Sequence, residues 1–110
     1  MRALMAILLV SSFVVVAGKV SLAGDDSGIE FLPRCRDGAP DFMQGFCIGI
    51  IETVAMYEEA MGRICLPLAT RGQMRAVVVK YLENHPERLH EDIHLLAAQA
   101  LQTAWPCKPK

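Results

Sequence analysis

The sequence predicts an all-α fold, a small bundle of three to four helices stapled by disulfides. Three observations carry this expectation. Three segments repeat apolar residues at helical spacing. Four cysteines stand in a short chain with an export-type N-terminus. The last two segments are separated by so short a turn that they must pack as an antiparallel hairpin.

The N-terminus decides how much chain is left to fold. Met1 and Arg2 are followed by Ala3 to Ala17, apolar apart from Ser11 and Ser12. That length suits the core of a secretory signal peptide and falls short of the roughly 20 residues that span a membrane. Small residues suited to cleavage end at Ala17 and again at Ala23, and the favoured cut follows Ala23, before the flexible-looking stretch Gly24-Asp25-Asp26-Ser27-Gly28. Leu22-Ala23-Gly24 precedes Asp25 and not Cys, which argues against lipid attachment. The chain then divides into a signal peptide, 1–23, and one domain, 24–110, of 87 residues in the expected periplasmic compartment. Arg2 and Lys19 leave with the signal, so 11 basic residues fall to 9 against 12 acidic ones, a net charge of −3. That balance offers no footprint for nucleic acid, and the 53% hydrophobic content owes much to the signal, so no membrane association is expected after cleavage.

The first helical segment runs from Asp41 to Met61. Gly45 and Gly49 lie inside it, one turn apart, each costing about 1 kcal/mol relative to Ala. Small residues four apart make a flat strip that another helix can approach, within the core or across a subunit interface. The second segment, Thr70 to Glu83, opens with a capping box in which Thr70 caps and Gln73 reaches back. Met74, Val77, Val78 and Tyr81 follow helical spacing. Pro86 suits the first turn of a new helix. The third segment, Glu87 to Trp105, buries a stripe of Leu89, Ile93, Leu96, Ala97, Ala100 and Ala104. Beyond Trp105-Pro106-Cys107, the tail Lys108-Pro109-Lys110 is expected to be loose.

The cysteines are Cys35, Cys47, Cys65 and Cys107, at spacings of 12, 18 and 42 residues. No Cys-x-x-Cys pair points to structural zinc. Cys47 and Cys65 stand about 27 Å apart if the intervening chain is helical, whereas a disulfide needs Cα atoms within about 7 Å. Cys35 and Cys65 flank the first helix at opposite ends. The pairing left is Cys35–Cys47 with Cys65–Cys107, the second closing the hairpin. On the chain-entropy model the two loops contribute roughly 3 and 4 kcal/mol.

One catalytic-looking motif is present. His90-Glu91-Asp92-Ile93-His94 matches H-E-x-x-H, which on a helix would place two imidazoles on one face for zinc, with Glu91 as a base. A catalytic zinc needs a third protein ligand, and the one other histidine, His85, stands on the turn before this helix. The domain is also too small for a substrate cleft and its supporting sheet. On a helical wheel His90 and His94 border the apolar stripe beside Leu101 and Trp105, as half-buried packing or interface residues. Ser27 is the one serine of the domain, and no glycine-rich phosphate loop or cofactor motif accompanies it. No catalytic residue, metal or cofactor is expected, and the domain reads as a binding protein.

Gly45-Phe46-Cys47-Ile48-Gly49-Ile50 resembles the G-aromatic-C-x-G-hydrophobic signature of the Rap/Tai family, periplasmic immunity proteins of type VI secretion. Cys65-Leu66-Pro67, then Thr70 and Gln73, resemble that family's C-[IL]-P and capped helix. Tyr81-Leu82, His85-Pro86-Glu87, Leu89-His90, Ala100-Leu101 and Trp105-Pro106-Cys107 resemble its closing stretch, in order. The likeness spans Cys35 to Cys107, and His94 lies outside its signature. It implies an all-helical periplasmic protein, often a homodimer, that binds a peptidoglycan amidase injected by a neighbouring cell and occludes its cleft. Contact residues do not carry over, because such surfaces follow the effector they match. Candidate contacts in this chain are Glu58, Glu59, Glu83 and Glu87, taken as exposed acidic positions that complement a basic cleft or are simply solvated, together with His85. A rival expectation is a periplasmic acid-stress chaperone, with three histidines near one hairpin charging as pH falls.

Overall fold

The structure, a computed structural model, describes residues 26–107. It contains α1 (Gly28–Cys35), α2 (Asp41–Ala60), α3 (Arg71–Asn84) and α4 (Ile93–Ala104), with a 3-10 turn, Pro86–Arg88, between the last two. The signal peptide, its cleavage site and the Lys108-Pro109-Lys110 tail lie outside the described residues. Among the described residues the β-pairing consists of two isolated bridges, Ser27 with Asp92 and Ile64 with Pro106, and no helix is long and apolar enough to cross a membrane. The expected all-α, disulfide-stapled bundle is the fold observed.

Helix α1 is an addition to the three segments read from periodicity. It has eight residues, with Gly28 at its start and Pro33 inside it, and on propensity alone such a segment does not hold. Packing holds it: Phe31, Leu32 and Cys35 are buried, and the Ser27 hydroxyl accepts a hydrogen bond from the Glu30 amide. The expected flexibility of Gly24 to Gly28 is corrected for residues 26–28. The Gly28 amide donates to the Glu91 carbonyl at 3.1 Å, Ile29 to Leu89 at 2.9 Å, and Ile93 to Asp26 at 2.6 Å.

Helix α2 ends one residue short of the expected boundary and buries Cys47, Ile51, Val54, Ala55 and Glu58. Helix α3 has both arms of its capping box, Gln73 amide to Thr70 hydroxyl at 3.1 Å and Thr70 amide to Gln73 side chain at 2.8 Å. Its buried stripe is Met74, Val78 and Leu82; Val77 and Tyr81 are half-buried.

The third expected helix is not continuous. A 3-10 turn follows Pro86, and the α-helix begins only after Asp92, whose carboxylate caps it by accepting from the His94 amide at 2.7 Å. Capping there satisfies an orphan amide that a continuous helix would pair with its backbone. Ile93, Leu96, Ala97, Ala100 and Leu101 are buried as a stripe, while Ala104 is exposed.

The four helices close on one core, in which Phe31, Ile51, Ile64, Val78, Leu82, Ile93, Leu96 and Leu101 are fully buried. The disulfides join Cys35 to Cys47, with Cα atoms 5.3 Å apart, and Cys65 to Cys107, at 4.9 Å. The first fastens the end of α1 to α2. The second fastens the lead-in of α3 to the segment after α4.

Gly28 marks the tightest joint. A Cβ there would lie 2.9 Å from Leu96 Cδ1 and 3.1 Å from the Leu89 carbonyl oxygen. Gly28→Ala is expected to destabilise the domain by about 1–3 kcal/mol through overpacking. Urea unfolding measures this as a lowered midpoint at unchanged slope.

Candidate functional site

The five charged or titratable candidates do not form one site. Glu58 is the clearest correction: it is 4% exposed, not a surface residue. Its carboxylate accepts from Arg63 Nε at 2.7 Å, from Arg63 Nη2 at 3.1 Å and from Gln102 Nε2 at 2.7 Å. The Arg63 hydrogen bond holds its pKa below the ordinary glutamate value; burial opposes that and Gln102 reinforces it. Glu58 thereby ties the end of α2 to the following loop and to α4. Its neighbour Glu59 is exposed.

Glu83, His85 and Glu87 gather at the far end of α3, whose 14 residues extend about 20 Å. Glu83 pairs with Arg36 at 3.5 Å, and both side chains are about half exposed. Glu87 is exposed. His85 is half-buried, stacked on Tyr81 with ring centroids 4.1 Å apart. Its Nδ1 lies 2.7 Å from the Tyr81 carbonyl; a carbonyl can only accept, so Nδ1 carries the proton and Nε2 is the free ring nitrogen. His85 and Tyr81 also line a groove of about 530 Å³ between α3 and α4, with Lys80 at its edge.

The H-E-x-x-H string is split by the fold. His90 lies in the turn before α4 and His94 in its first turn, so the two do not share a helix. Glu91 is gripped by Arg88, Nε to Oε2 at 2.6 Å and Nη2 to Oε1 at 2.9 Å, which lowers its pKa. His94 Nδ1 sits 3.0 Å from the capping carboxylate of Asp92. Both histidines are exposed, which corrects the expectation that they are half-buried beside Leu101 and Trp105.

Gly45 and Gly49 face outward. A Cβ at either position would meet nothing within 4 Å, so they mediate no close packing inside this domain. They share a strip of α2 diametrically opposite its buried stripe, at i, i+3, i+4 and i+7 spacing. The strip also carries Phe42, Phe46, Thr53, Met56 and Ala60, all exposed, with Phe42 at 79% and Met56 at 71%. It holds no charged residue. This second apolar face was missed in the sequence, although the wheel position of Phe42, Phe46 and Met56 away from Cys47, Ile51 and Val54 is its signal.

A family model for Rap1a immunity proteins matches residues 27–107. The chain belongs to that family. The Rap1a match begins at Ser27, the cap of α1, and ends at Cys107, so it takes in all four helices and both disulfides. Membership implies a secreted effector as the binding partner. Neither the search of curated proteins nor that of solved structures returned a match.

Glu58→Ala is expected to destabilise the domain by about 1–3 kcal/mol at neutral pH, by leaving the groups it serves unpartnered. The native carboxylate titrates below its unfolded value. Its contribution is therefore present above the ordinary carboxylate range and lost as pH falls through the folded pKa. Urea unfolding of both proteins between neutral pH and about pH 4 should show the stability gap narrowing with acidity.

Proposed function

We propose that this chain is a periplasmic immunity protein that binds a peptidoglycan amidase effector of type VI secretion and occludes its cleft. The family match over the whole helical domain carries the reading. Two disulfides suit an oxidising compartment, in keeping with the apolar N-terminal run. The one catalytic-looking string has its carboxylates committed to Arg88 and to a helix cap, which favours a role in binding. Glu59 and Glu87 are exposed and outside any ion pair described here, so they remain available to meet a basic cleft rim.

The same reading includes a homodimer through the outward strip of α2. A two-fold axis across Gly45 and Gly49 lets two copies of α2 approach closely, while Phe42, Phe46 and Met56 of each copy leave water. Removing such a strip from solvent follows the ordinary preference for burying contiguous apolar surface.

Purified mature protein is expected to bind the exported amidase encoded beside its gene and to stop that enzyme's release of peptides from peptidoglycan. Full hydrolysis at saturating inhibitor would overturn the proposal. Met56→Lys is expected to convert the dimer to a monomer at micromolar concentration with the fold intact, as read by sedimentation and circular dichroism. A wild-type protein that sediments as a monomer would remove the dimer and leave the amidase reading in place.

A further inference from the structure

Helices α3 and α4 pack against each other, but their outer faces do not close. On α3 Val77 and Tyr81 stand one turn apart, and on α4 Ala100 and Ala104 do the same. The alanines offer only methyl groups to the space between, which is left as an open groove of about 530 Å³. A second hollow, of about 600 Å³, lies against Pro67, Trp105 and Pro106 and meets the first at Ala104, which lines both. Among the described residues no Asp or Glu lines either hollow.

Most polar groups along this trough are already engaged. The Tyr81 hydroxyl accepts from Arg88 Nη1 at 2.6 Å and donates to Gln99 Oε1 at 3.2 Å. The Thr103 hydroxyl donates to the Gln99 carbonyl at 2.8 Å. His85 walls one end with its ring, stacked on Tyr81 and fixed through Nδ1 to the Tyr81 carbonyl. Pro67 and Pro106 have no amide to donate, and the two helices pair their backbone groups internally. The donors on the rim are Lys80 and Asn84, one turn apart and both exposed. Lys80 makes no ion pair among the described residues.

We propose that the trough is a binding site for a long-chain fatty-acid anion, its carboxylate at Lys80 and Asn84 and its alkyl chain laid over Ala100 and Ala104 toward Trp105. The occupant follows from charge and from what the floor lacks. An ammonium in a hollow without acids favours an anionic headgroup. An alkyl chain needs no hydrogen bond, whereas a peptide or sugar in the same place would desolvate polar groups against a floor that cannot pair them. The volumes lie in the range of small-molecule sites, and burial of the chain supplies the affinity. The site is independent of the effector reading above.

Trp105, the one tryptophan of the chain, reports on the tail. Purified mature protein is titrated with laurate and with dodecyltrimethylammonium, a tail of similar length under the opposite charge, both below micelle formation. Laurate is expected to give a saturable change in Trp105 emission, and the cation to bind at least about 5-fold more weakly. N-acetyl-trileucine, a carboxylate on a peptide, is expected to give none. Lys80→Glu should weaken laurate by at least about 5-fold, and Ala104→Phe, which fills the junction of the two hollows, should abolish saturation. Both positions are exposed, so both variants should melt at the wild-type midpoint. The site is overturned if wild type does not saturate with laurate, or if the peptide saturates. A cation or a Lys80→Glu variant within about 5-fold of the wild-type laurate affinity overturns it as well, as does retained saturation in a folded Ala104→Phe. Should Ala104→Phe unfold, Lys80→Glu decides.

Discussion

The Ile93 amide donates to the Asp26 carbonyl, and the Gly28 amide to that of Glu91. This short antiparallel seam fixes α1 to the turn between α3 and α4, and much else in the domain follows from it. It leaves room for no side chain at residue 28, because Leu89 and Leu96 close over the spot. It draws Asp92 out of helical geometry and into the capping position, which starts α4 five residues after the 3-10 turn ends. It also gives a short proline-containing helix enough burial to persist. The four helices enclose one core because the first is sewn to the last.

What could be read from the chain, and what could not, divides along the range of the interactions. Helices α2 and α3 were legible because their signals are local: the spacing of Cys47, Ile51 and Val54, and the Thr70–Gln73 box. The cysteine pairing was legible because helix length limits reach. Helix α1 was not, since Pro33 and Gly28 speak against a helix and its support is tertiary, from packing on α2 and α3 and from hydrogen bonds to Leu89, Glu91 and Ile93. The break at Asp92 was hidden because Glu91-Asp92 reads equally well as helix interior or helix start, and only the seam to Asp26 decides. Glu58 looked like a solvated acid because neither Arg63 nor Gln102 is in helical register with it. Of the exposed apolar residues, those on the outward strip of α2 were within reach of a helical wheel, but the exposure of Leu68 depends on a turn that periodicity does not describe.

The distribution of charge and apolar surface suits a protein that binds by shape. Glu58, Glu91 and Asp92 are engaged in holding helix ends and loops, where their partners are Arg63, Arg88 and the α4 amides. Of the apolar residues left outside, Phe42, Phe46 and Met56 lie on the strip of α2 and Leu68 at the tip of the loop before α3, with Ile29, Tyr57, Met61 and Leu95 elsewhere. Membership of the Rap1a family supplies the class of partner, a secreted effector.

The two disulfides differ in their access to solvent. Cys35 and Cys47 are sealed in the core, whereas Cys65 is exposed and Cys107 half-buried. Exchange requires a thiolate to reach a sulfur along the bond axis, so the inner bond is shielded for as long as the domain stays folded, whereas the outer one lies nearer the surface. Their chemical lifetimes therefore differ, with global unfolding needed before the inner bond can exchange. Under reducing stress the molecule would first lose the tether between the α3 lead-in and the end of α4. The core around Cys35 and Cys47 would outlast that tether.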